Sequence, residues 1–216
     1  SSVDRARRVA SAFAGLGVGR GSRVALFARP DIDFMTAMAA TLIAGGVVVP
    51  INHQFKHREL AGYLGIVDPV LIVTDADTDA LPAAVRPDLT RVVGGGWRVG
   101  AVRAGSERSP VLTISDLALC EPGEPANVDP DDAAFIMHAS GTTGLPKGVV
   151  RSHGTYARFA TLWADRYMTE GDAVLDFMPM YHQGGVMMSF LPAFLRGLPV
   201  WQLERLSVAS FWAAAE

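Results

Sequence analysis

The sequence predicts an α/β fold, a mainly parallel sheet layered between flanking helices. Three observations lead there. Short apolar runs at 24–27, 47–49 and 70–74 alternate with stretches whose apolar residues recur at helical spacing. The runs are apolar throughout, which is how strands covered on both faces read. Of the 216 residues, 50% are hydrophobic and 19% charged, ample for a sizeable core.

Taken in order, the first helix carries Ala6, Val9, Ala10, Phe13 and Leu16 on one face, with Arg5, Arg7, Arg8 and Ser11 between them. Asp4 suits its N-terminal end, and Gly15 and Gly17 stop it. A Gly-rich turn over 19–22 leads to the first strand. Pro30 and Asp31 open a helix through Phe34, Met35, Met38, Leu42 and Ile43, closed by Gly45 and Gly46. The second strand, a helix over 59–66 stopped by Asp68 and Pro69, and the third strand complete a βαβαβ unit. Right-handed crossovers are expected to put both of its helices on one face. From 75 to 129 the pattern is irregular and rich in Pro and Gly, a surface excursion with short strands over 91–93 and 97–102. A buried strand over 133–137 follows, then a Gly/Thr-rich loop, a strand over 149–151 and a helix over 156–168. After a strand over 173–177 come a helix over 186–196 interrupted at Pro192 and a strand over 198–203. Ser207 caps a final amphipathic helix. The division expected is a first α/β subdomain over 1–130 and the start of a second over 131–216. The last helix has no partner after it, so the chain reads as the front part of a longer protein, with Phe211 and Trp212 lacking full cover.

Composition excludes several classes. Lys and Arg number 19 against 22 Asp and Glu, a formal charge of −3. No basic excess exists to neutralise a phosphate backbone, so nucleic acid is not an expected partner. The single cysteine, Cys120, can form neither an internal disulfide nor a Cys-rich zinc site, which fits a reducing compartment. The longest apolar stretch, 34–49, falls short of the roughly 18 residues of a spanning helix. No signal-peptide pattern opens the chain, so a cytoplasmic protein without a membrane span is expected.

Chemistry concentrates in the loop after the fourth apolar strand. Ser140, Thr142 and Thr143 offer hydroxyls, Gly141, Gly144 and Gly148 let backbone N–H groups approach a ligand, and Lys147 adds a mobile charge. A surface hairpin rich in Gly and Thr has the same composition. Yet only two lysines, Lys56 and Lys147, stand against seventeen arginines, and a chain that prefers Arg places a Lys here. Hydroxyls, glycines and one cation together make a polyphosphate cradle. It is not a Walker A loop, which needs Gly-Lys-Ser/Thr and a helix directly after.

The string Ser-Gly-Thr-Thr-Gly-Leu-Pro-Lys-Gly-Val over 140–149 resembles the phosphate-binding signature of the AMP-forming, adenylate-forming enzyme superfamily. That superfamily includes acyl-CoA synthetases, luciferases and peptide-synthetase adenylation domains. The region 19–50 and the string Met-Pro-Met-Tyr-His-Gln-Gly-Gly over 178–185 are similar to the same superfamily, so the resemblance covers most of the chain from about Gly19. It implies the N-terminal part of the large domain of such an enzyme. It also implies ATP and Mg²⁺, a small-molecule carboxylic acid that attacks the α-phosphate, and coenzyme A as acceptor. Residues 140–144 and Lys147 would hold the β- and γ-phosphates. His182 would lie near the reacting carboxylate and α-phosphate, with Tyr181, Gly184 and Gly185 shaping the acyl pocket.

Adenylation domains of the superfamily that take α-amino acids carry an aspartate in this motif to pair with the substrate ammonium. Between Tyr181 and Leu195 this chain has no acidic residue, so the resemblance implies a non-amino carboxylic acid activated as a CoA thioester, and with it fatty acid metabolism. Alternatives are an adenylation domain with another acceptor, a P-loop NTPase, and a non-catalytic phosphate- or partner-binding domain. The superfamily's later adenine, ribose and catalytic-lysine motifs do not occur in these residues, so the chain alone is expected to be inactive. Other histidines do not repeat at metal-ligand spacing, and Asp129, Asp131 and Asp132 read as a solvated turn; no metal site is expected. His53 and His57 read as surface residues, and His138 as a support for the cradle. Met187, Met188 and Phe190 read as core, with an acyl tunnel as the alternative. A homo-oligomer is left open.

Overall fold

The computed structural model of the chain describes residues 1–75, 98–101, 112–139, 147–203 and 206–215. It opens with α1 (Ser2–Gly15), β1 (Arg23–Phe27), α2 (Ile32–Ile43), β2 (Val47–Pro50), α3 (His57–Val67) and β3 (Leu71–Thr74). α1 and α2 start where a side chain can satisfy their free N–H groups. The Ser1 hydroxyl accepts from Asp4 N, and Asp31 Oδ1 accepts from Asp33 N at 2.8 Å and Phe34 N at 3.0 Å. β4 (Arg98–Ala101), β5 (Leu112–Thr113) and the short α4 (Ile114–Leu117) follow. The strand expected over 91–93 lies outside the described residues.

β1, β2 and β3 pair in parallel in the order β3–β1–β2, and β6 (Ala133–Ala139) joins β2 in parallel. Antiparallel strands flank these four, with β4 and β5 beyond β3 and β7 (Lys147–Ser152) beyond β6, making seven strands. The remaining elements are α5 (His153–Tyr167), β8 (Val174–Asp176), a π-helical segment (Gly185–Phe190), α6 (Leu191–Arg196), β9 (Val200–Gln202) and α7 (Val208–Ala215). β8 and β9 form a separate parallel pair.

The two crossover helices lie on opposite faces, not on one. β1 sends Val24 and Leu26 into the core under α1, α2 and α5, and Ala25 and Phe27 into a second core under α3, with Leu60, Tyr63, Leu64 and Val67. The reason is the strand order. The chain steps from β1 outward to β2 and then back across β1 to β3. Two right-handed crossovers that run in opposite directions put their helices on opposite faces. The helix expected to break at Pro192 instead runs on. Proline lacks the N–H that residue 188 would have bonded, and the change from π to α geometry just before it removes that demand. No residue of α7 is buried, and Trp212 is 60% exposed.

Candidate active site

Ligands of open α/β sheets bind at the carboxyl ends of the strands. At that edge β2 ends in Pro50, and β6 ends in His138 and Ala139. β7 returns antiparallel, with Gly148 opposite His138 and Lys147 opposite Ala139. Lys147 is exposed at the start of β7, opposite the last residue of β6. Ser140, Gly141, Thr142, Thr143 and Gly144 lie outside the described residues. Gly148 has no room for a side chain, because a Cβ there would stand 2.8 Å from Ile136 Cγ2. The close approach holds Lys147 and His138 on neighbouring rungs.

The second group of candidates reaches this edge through a turn over 178–182. Its start is tied down by Met178 N, which donates to Asp176 Oδ1 at 2.9 Å. Its middle is plugged by Met180, fully buried in the core under α2 and α5. It closes with His182 N donating to Pro179 O at 2.8 Å. Gly185, buried at the start of the π-helical segment, lies directly against this turn. The exposed His182 and half-buried Tyr181 are thereby carried to His138, with ring centroids 6.3 Å and 5.5 Å from its imidazole.

The structure brings Lys147, His138, Tyr181 and His182 to one edge, although 34 residues of chain separate Lys147 from Tyr181. Phe55 and Tyr63, not singled out from the sequence, complete the cluster together with His53. Phe55 and Tyr63 stand 5.3 Å and 6.1 Å from His138, and His53 stands 6.0 Å from Tyr181. The expectation that His53 is a plain surface residue is corrected, since its Nδ1 is buried. Its place just after a strand's carboxyl end was the available signal. His57 is exposed as expected. Met187 and Phe190 are core residues, and Met188 is 40% exposed. Asp129 and Asp132 pair with Arg20 on the surface, and among the described residues no group of three or more His, Cys, Asp or Glu could hold a metal.

Burial holds the His138 imidazole below its ordinary value, the neighbouring His182 adds to the effect, and a hydrogen bond to the Pro50 carbonyl opposes it. His153 is lowered by burial as well, against a pull from Asp132. Burial alone pushes Tyr63 up to about 12. A histidine depressed in the folded state contributes stability that is present above its unfolded value of 6.5 and lost as pH falls through the folded value. The thermal midpoint is therefore expected to fall on acidification below 6.5, before the surface carboxyls such as Asp132 titrate. The decline should be shallower in His138→Gln. A midpoint that is flat from neutrality down to the carboxylate range contradicts this.

Comparison with known proteins matches residues 3–215 to the AMP-binding enzyme family. The chain belongs to that family. Over 191 residues it is 30% identical to an L-proline–[L-prolyl-carrier protein] ligase of Pseudomonas fluorescens, covering 85% of this chain and 35% of that protein. It is 25% identical over 209 residues to the medium/long-chain-fatty-acid–CoA ligase FadD6 of Mycobacterium tuberculosis, covering 96% of this chain and 34% of that protein. The crystal structure of ATP-bound MatB from Rhodopseudomonas palustris superposes with a TM-score of 0.80 at 25% identity, over 98% of this chain and 41% of that one. The N-terminal domain of FACL13 from Mycobacterium tuberculosis gives 0.76 at 24% identity, over 97% and 51%. The chain thus spans about a third of the length of the two curated relatives named. Among its described residues no helix is long and apolar enough to cross a membrane.

Proposed function

We propose that the chain forms the triphosphate and carboxylate side of the site of an AMP-forming acid–CoA ligase. Lys147, with Ser140, Gly141, Thr142, Thr143 and Gly144, receives the β- and γ-phosphates of ATP. His182, with Tyr181, Gly184 and Gly185, receives the acid. One observation carries the reading. The turn of 178–182 delivers His182 to His138, one residue from the strand end that enters 140–146, and Lys147 stands where the chain comes back.

The chemistry needs no protein nucleophile. A carboxylate oxygen attacks the α-phosphorus, a new P–O bond forms, and the bond to the pyrophosphate oxygen breaks with its electron pair. Two anions must meet and negative charge builds on the leaving group, so fixed donors and a cation aimed there lower the barrier. In this reading Lys147 acts on that charge and His182 on the incoming carboxylate. Mg²⁺ would arrive on the phosphate oxygens, as it does in many nucleotide sites. A thiol then takes the acyl group and AMP leaves. The acid is a small carboxylic acid without an ammonium, since the segment after Tyr181 carries no acidic side chain as far as Leu195. The likeness to a carrier-protein ligase supports a second reading in which that thiol belongs to a carrier protein.

Exchange of labelled pyrophosphate into ATP tests this, measured on a polypeptide of the relatives' length that carries these residues. Exchange is expected only when a carboxylic acid is present, and it should be absent from the 216-residue chain alone. Carboxylate-independent ATP hydrolysis would favour an NTPase instead. Supplying coenzyme A or a carrier-protein thiol in turn separates the two acceptors.

A further inference from the structure

Asp176, the last residue of β8, is a buried carboxyl that the proposed chemistry does not use. It is 1% exposed. Oδ1 accepts from Met178 N, while Oδ2 is buried with no hydrogen-bond partner. Beside it on β9, in direct register, stands Gln202. Its Nε2 donates to the carbonyls of Asp176 and Leu203, each at 3.3 Å. Turning the amide over would set its oxygen against those two carbonyl oxygens, so the orientation is determined by its surroundings. Gln202 Oε1 is then also a buried acceptor without a donor. Register-paired residues of neighbouring strands share a face. A single proton shared between two orphan acceptors on such a pair would satisfy both.

We propose that Asp176 is a positioning residue that carries a proton on Oδ2 and donates it to Gln202 Oε1, joining β8 to β9 beneath the turn that holds His182. The surroundings agree. Burial raises the carboxyl above the ordinary range, and the hydrogen bond from Met178 N and the nearby donors of Ser189 and Phe177 oppose that. Among the described residues no charged side chain acts on it. β9 and the π-helical segment bring no titratable group, and the two on the turn, Tyr181 and His182, face His138. An ionised Asp176 would be a buried charge without a counter-ion among the described residues. Deprotonation would remove the bond from Asp176 to Gln202 and set two buried acceptors side by side, while the backbone pairing of β8 with β9 remains. What His182 does in the site rests on the ligase reading. The protonation does not, and it can be read without ATP or acid.

Carboxyl-carbon NMR of the 216-residue chain labelled at aspartate decides the matter. One resonance, missing from D176N, is expected to titrate above every other aspartate. If that resonance ionises together with the surface carboxyls, Asp176 is a carboxylate bridged by water and the proposal is overturned. A second reading uses stability. Asn keeps an oxygen for Met178 N and brings an Nδ2–H for Gln202, without needing a proton. A carboxyl raised in the folded state contributes stability below its unfolded value that is lost as pH rises through the folded one. The thermal midpoint of D176N minus that of wild type should therefore grow as pH rises. A difference independent of pH also overturns the proposal. D176A removes the anchor and should move the His182 ring resonances, whereas D176N should leave them in place; equal displacement in both would show that Asp176 does not position the turn.

Discussion

Replacing Lys147 with alanine is expected to slow carboxylate-dependent pyrophosphate exchange by roughly 10²–10³ while the fold survives. The two halves of that outcome have separate causes. Lys147 is exposed, and its contribution to the fold is the backbone pairing of β7 with Ala139, which alanine keeps. Surface changes of this kind stay within about 0.5 kcal/mol, a shift of about 1–2 °C in the midpoint of a chain this size. The charge acts instead on the leaving pyrophosphate, where a preorganised contact is worth far more than it is in water. Binding of inorganic pyrophosphate to the 216-residue chain, followed by calorimetry, checks the same contact without catalysis. Lys56, the other lysine, is exposed at the start of α3 and provides the control, since Lys56→Ala removes an equal charge from elsewhere. Wild-type exchange in Lys147→Ala, or an equal loss in Lys56→Ala, would refute the phosphate role.

Much of the framework was legible because its causes are local. Apolar runs such as 47–49 become strands whatever their neighbours, and Asp31 and Ser152 start helices through bonds to N–H groups two or three residues on. The loop and the 178–185 string were legible as motifs. What the sequence could not reveal is nonlocal. The face on which α3 lies depends on whether β3 pairs with β1 or with β2, and both strands are apolar along their length from Val24 to Phe27 and from Val47 to Pro50. Phe55 and Tyr63 join the site because β6 pairs with β2 and brings His138 to them, and His53 because the turn of 178–182 brings Tyr181 to it. Asp176 looks like any acid at a strand end until Gln202 is placed beside it. The π-helical segment has a local cue in Pro192, but its extent depends on the fit of Gly185 beneath the turn.

That fit makes Gly185→Val the substitution with the largest expected structural effect at the site. A Cβ at 185 would stand 2.9 Å from the carbonyl oxygens of both Met178 and Pro179 and 3.2 Å from the Pro179 carbonyl carbon. These are backbone atoms of the turn that carries Tyr181 and His182, so the turn itself must move. Overpacking of this sort costs about 1–3 kcal/mol, enough to lower the midpoint by several degrees. The effect on the reaction should be larger than the effect on the fold. His182 hangs from the carbonyl of Pro179, and a misplacement of about 1 Å in a reacting site can cost on the order of 10² in rate. Gly184→Ala is the informative contrast. Its Cβ would meet Met178 Cε at 2.3 Å and Sδ at 2.7 Å, a worse overlap by distance but with the free end of a flexible side chain. Methionine can turn away where a carbonyl cannot, so Gly184→Ala should keep its midpoint near wild type and most of its exchange rate. The pair is read by thermal unfolding and by the ring resonances of His182, which should shift in Gly185→Val and hold in Gly184→Ala. If the two glycines behave alike, the turn is not held by the backbone contact at Gly185.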